Sequence, residues 1–85
     1  MEDSRIAIIG ILVNDVDSVE GVNAILHDYS PYIIGRMGIP YKEKNVNIIS
    51  VAIDADTDVI NSAAGKLGKL SGVTAKAVCS KMPEE

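Results

Sequence analysis

The chain carries one cysteine, one histidine and only eight lysines and arginines against twelve aspartates and glutamates in 85 residues. Each scarcity closes off a class of function. A lone cysteine, Cys79, cannot form a disulfide within the chain, which fits a reducing cytoplasm. A lone histidine, His27, leaves little capacity for general acid–base catalysis, and no hydroxyl–histidine–acid order suggests a triad. A formal charge of −4 supplies no counterion-release drive toward nucleic acid and discourages docking on anionic membranes. No apolar run reaches the roughly 18 residues that suggest a membrane span. The acidic, polar start MEDSR does not read as a signal peptide.

A nucleotide loop is also missing. The stretch GKLGKLSGV, residues 65–73, has the glycines and lysines of one. A phosphate loop, however, runs from a strand through glycines into a helix N-terminus, where free N–H groups and a positive dipole await the anion. Here the order is reversed. A helix ends in this stretch, and the spacing G-x-x-x-x-G-K-[ST] is absent.

What is present is an apolar composition of 47% arranged as a repeat. Ile8, Ile9, Ile11 and Val13 match Ile48, Ile49, Val51 and Ile53 at an offset of 40. Each copy reads as strand, acidic loop and amphipathic helix, followed by a further apolar stretch (33–41 and 73–81). The order β-α-β-β-α-β predicts a single α+β domain over residues 1–85. Its fold is a ferredoxin-like sandwich with a four-stranded antiparallel sheet and two helices on one face. The first and third strands, the most apolar, belong in the centre. Residues 42–45 (KEKN) suit the hairpin between the second and third strands.

The helix signals are ordinary. Asp17 and Glu20 have capping-box spacing for the first helix, and Asp56 caps the second. Val19, Val22, Ile25, Leu26 and Tyr29 form one stripe; Ile60, Ala63, Leu67 and Leu70 form the other. Pro31 marks the exit from the first helix. Gly72 suits a left-handed residue closing the second.

The first strand is apolar on both faces: Ile9, Ile11 and Val13 point one way, Ile6, Ile8 and Leu12 the other. A strand with one covered face should alternate with polar residues. The face away from the helices is therefore expected to be covered by another copy of the chain.

Several residues stand out as candidates. Gly65 and Gly68 project away from the core stripe, and each glycine in a helix costs about 0.8–1 kcal/mol relative to alanine. Either the helix frays after Lys66, or another backbone or a ligand approaches closely there. Arg36, mid-strand among apolar residues, suits a carboxylate at a subunit contact or an anionic ligand. His27 lies away from the core stripe and reads as a surface histidine. Cys79 shares a strand face with Val73, Ala75 and Ala77 and reads as a buried, inert thiol. Asp54, Asp56 and Asp58 lack the glycine and glutamate of a calcium loop, so capping and solvation account for them.

Together, LHDYS, the following R-x-G-x-P (Arg36, Gly38, Pro40) and GKLG-x-x-SGV resemble the small proteins described as iron-only hydrogenase system regulators, over about Arg5 to Lys81. That family is similar to ACT-like domains and to the ligand-binding half of nickel-responsive repressors. The resemblance implies an ACT-like domain, a homodimer or homotetramer, and a regulatory, non-enzymatic role. ACT-like assemblies place ligands at the seam between subunits, near the loop after the first strand and the neighbouring helix. That implies Asn14, Asp15, Arg36, Gly38, Gly65 and Gly68 as ligand-binding candidates. The positions matching the repressors' nickel ligands hold Gly38, Pro40 and Val46, which offer no side-chain donor. Because the first strand is expected close to the start of the sequence, the repressors' DNA-binding segment has no expected counterpart here.

The expected function is thus a cytoplasmic regulatory module that binds a small effector or a partner protein as a homo-oligomer. No catalytic residue, metal site, cofactor, direct nucleic-acid contact or membrane contact is expected. The alternative is a metal sensor or chaperone with His27 and Cys79 contributed by different chains.

Overall fold

The computed structural model describes residues 4–81. Strand β1 (Arg5–Val13) leads through a 3-10 turn (Val16–Ser18) into α1 (Val19–Asp28). A second 3-10 turn (Ser30–Tyr32), holding Pro31, leads into β2 (Ile33–Tyr41). The hairpin over Lys42–Lys44 enters β3 (Val46–Ala55), then α2 (Thr57–Gly68) and β4 (Val73–Cys79). Asn45 closes the hairpin in the left-handed region, at φ 54°, a conformation asparagine tolerates better than most residues.

All strand pairs are antiparallel and the sheet order is β2-β3-β1-β4. The two most apolar strands are central, as the sequence predicts. Ile9 lies opposite Val51 and Ala77, and Ile11 opposite Ile49 and Ala75. These residues face the helices. The buried stripes Val22, Leu26, Tyr29 and Ile60, Ala63, Leu67 close over them in one core. No helix of the described residues is long and apolar enough to cross a membrane.

Pairing between β2 and β3 contains one irregularity. Ile33 lies opposite Ile53, but Gly35 lies opposite Ala52, so Ile34 is an extra residue on β2. That is a bulge, in which one strand carries a residue with no partner.

Two local readings need correction. Asp17 and Glu20 do not form a capping box. The N-cap of α1 is Ser18, and its side chain makes no capping bond. Its buried hydroxyl instead donates to the carbonyl of Ser71 at 2.6 Å, and the carboxylate of Asp15 accepts from the Asp17 backbone N–H at 3.0 Å. The chain enters α1 through a tight turn that Asp15 caps locally, while a tertiary partner claims the hydroxyl of Ser18. Nor does α2 fray after Lys66, because it remains helical through Gly68. Asp56 caps α2 as expected, accepting from the Val59 N–H at 2.9 Å.

Candidate functional site

The six residues singled out from the sequence fall in three separate places within one chain. Asn14 and Asp15 follow β1 and pack against the turn into β4. The Asn14 N–H donates to the Gly72 carbonyl at 2.7 Å, and Gly72 sits at φ +69° against Asp15. Arg36 and Gly38 lie on edge strand β2, on the side facing the helices, opposite Val51 and Ile49. Gly65 and Gly68 lie on the exposed side of α2.

A Cβ added at Gly65 or Gly68 would meet nothing within 4 Å. Within one chain, then, nothing requires glycine at either position. Gly65→Ala is expected to stabilise the isolated domain by about 0.8–1 kcal/mol through helix propensity, and Gly68→Ala, at the last helical residue, by less. Thermal denaturation checks this, and a loss of stability in the assembled protein would reveal a close neighbour at that surface.

The second place is an open groove between α1 and β2. Helix α1 does not cover β2, and every residue of that strand except Ile33 is exposed. One hollow of about 420 Å³ is lined by Asn23, Leu26, His27, Ser30, Ile33 and Arg36. A neighbouring hollow of about 280 Å³ shares Asn23 and Arg36 and continues past Gly38 and Pro40. An Nη2–H of Arg36 donates to Oδ1 of Asn23 at 3.0 Å. Among the described residues no acidic side chain lines either hollow. Asn23 gave no sequence signal: a lone asparagine on the outer side of a helix carries no periodicity that connects it to Arg36.

The opposite face of the sheet is apolar and bare. Leu12 stands between Ile48 and Thr74, and Ile39 extends the row across β2. Ile8 stands between Ala52 and Val78. Between these rows lie Met37, Ser50, Gly10 and Lys76. Ile6, Ile8 and Leu12 are 48%, 51% and 44% exposed, although they sit on a central strand. Among the paired residues of this face, Lys76 and Asp54 carry the only charges.

A third polar feature joins the helices. The hydroxyls of Tyr29 and Ser62 share a hydrogen bond of 2.8 Å. That bond holds the Tyr29 phenol below its usual pKa. The Lys66 ammonium, 5.3 Å from the ring centroid, acts in the same direction, while burial opposes both.

Among the described residues no group of three or more His, Cys, Asp or Glu side chains is placed to hold a metal ion. His27 lines the groove beside β2. Cys79 is half-buried on β4, the opposite edge of the sheet. One chain therefore does not bring the two together.

This geometry has relatives. No curated protein matches the chain. The structure of the uncharacterized protein TM1266 from Thermotoga maritima matches with a TM-score of 0.88 and 38% sequence identity, covering 92% of this chain and 99% of that one. A family model described as "TM1266-like: Iron-only hydrogenase system regulator, putative" matches residues 5–77. That span takes in all four strands but the end of β4, both helices and the groove, and the chain therefore belongs to this TM1266-like family.

Proposed function

We propose that this domain is a non-catalytic regulatory module of an iron-only hydrogenase system, active as a homodimer or homotetramer that responds to a small effector or a partner protein. Membership of the regulator family supports the first part. The observation that carries the second is the bare sheet face. Isoleucines and a leucine on a central strand, left about half exposed, form a contiguous apolar patch of the kind that marks an interaction surface. A typical interface takes about 800 Å² from each partner, roughly one-seventh of this domain's 5687 Å². The face of a four-stranded sheet is a fitting place for such an area. A second copy suits it because the patch is nearly free of charge and so has little in it to repel its own image.

Sedimentation equilibrium at micromolar concentration tests the reading. The expected mass is two or four times the 9.0 kDa of the chain. A monomer across the whole concentration range would remove the argument for assembly.

A further inference from the structure

The groove between α1 and β2 has a chemistry of its own. The domain carries a net charge of −4, yet among the described residues the two adjacent hollows have an arginine and no acid in their walls. Among the described residues, the guanidinium of Arg36 makes one hydrogen bond, to the neutral amide of Asn23. An amide orients the guanidinium without neutralising it. A guanidinium has five N–H donors in a planar fork that fits a carboxylate with two parallel bonds, so most of its donors remain free.

The rest of the lining narrows the ligand. Leu26, Ile33, Val19, Ile49 and Pro40 supply apolar wall, and Ser30, His27 and Asn47 supply neutral polar groups. We propose that this groove binds a small organic monocarboxylate with a short hydrocarbon body, the carboxylate on Arg36 and the body against Leu26 and Ile33. The inference rests on the reading of the domain as an effector-binding regulator and names the class of effector. Arg36 is the one lysine or arginine in the lining, so it matches a monoanion in charge and half-neutralises a phosphate dianion. An amino acid would add an ammonium group, and no acid among the described residues of the lining receives it. Breaking a charged hydrogen-bond pair corresponds to about 10- to 100-fold in affinity.

The test is an NMR titration of the full chain, following the Asn23 side-chain amide, Arg36 Nε and the Gly38 backbone amide. The probes are 3-methylbutanoate, its neutral amide, L-valine (the same skeleton with an amine) and inorganic phosphate. Saturable shifts confined to the groove are expected with 3-methylbutanoate, with the other three binding at least about tenfold more weakly. Arg36→Gln should weaken the carboxylate by a similar factor. Arg36 is exposed, so the variant should keep a dispersed, folded spectrum. Absent or non-saturating shifts, saturation elsewhere, equal binding of the amide, valine or phosphate, or unchanged affinity in Arg36→Gln would each overturn the proposal. Sedimentation of the same samples separates this outcome from the assembly reading. An oligomer that ignores 3-methylbutanoate defeats the ligand proposal alone, and a monomer that binds it defeats the assembly reading alone.

Discussion

Gly72→Ala is expected to lower the melting temperature by about 10–25 °C. Two costs combine. At φ +69° an alanine pays the left-handed penalty of about 1–2 kcal/mol. Its Cβ would also lie 2.7 Å from the Cβ of Asp15 and 3.0 Å from the Asp15 backbone nitrogen. Backbone cannot swing aside as a long side chain can, so the loop after β1 must move. That strains the Asn14 bond to Gly72 and the neighbouring Ser18 bond to Ser71. Overpacking of this kind costs about 1–3 kcal/mol. The same chemical change has the opposite sign at Gly65 and Gly68, where space is open and the backbone is helical. Thermal denaturation of the three variants side by side gives the contrast. If Gly72→Ala melts within a few degrees of the parent protein, the tight corner described between the two loops is wrong.

Ile8→Glu is expected to take the assembly apart while leaving each subunit folded. Ile8 is half exposed in the isolated domain, so a glutamate there can reach water and the fold loses little. Under a second copy, the same carboxylate would be sealed between Ala52 and Val78, while Lys76, the one cation among the paired residues of the face, lies a row away opposite Gly10. An unpaired buried charge costs several kcal/mol; even about 3 kcal/mol corresponds to a loss of roughly a hundredfold or more in association. Val16→Glu is the control, since Val16 is 77% exposed on the turn after β1 and not on the sheet face. Sedimentation equilibrium and far-ultraviolet circular dichroism make the comparison. An Ile8→Glu protein of unchanged assembled mass would mean that this face is not the one that subunits share.

Much of the fold was legible because it is written in local, repeated chemistry. The 40-residue offset placed Ile9, Ile11 and Val13 on the same footing as Ile49, Val51 and Ile53, and all six are buried. The stripes through Val22 and Leu26, and through Ile60 and Leu67, follow from helical geometry alone. The start of α1 was not legible, because a 3-10 turn capped by Asp15 precedes it and the hydroxyl of its N-cap residue answers to a distant partner. Ser18 bonds to Ser71, 53 residues away. The groove was half legible. Arg36 was conspicuous as a charge among apolar neighbours, but its partner Asn23 lies 13 residues back, on another element. The candidates implied by family likeness do not converge within one chain: Asn14 and Asp15, Arg36 and Gly38, and Gly65 and Gly68 occupy different regions. A seam between copies is a relation between molecules, which the periodicity of one chain does not encode.

The bulge at Ile34 decides more than local pairing. Side chains alternate along a strand, so one inserted residue exchanges the two sides for everything beyond it. With Ile33 opposite Ile53 and no insertion, Arg36 would fall opposite Ser50, and Met37 opposite Ile49. The guanidinium would then stand among the greasy rows and the thioether would line the hollow beside α1. A single unpaired residue thus sorts cation from hydrocarbon across the thickness of the strand, and both surfaces owe their character to it.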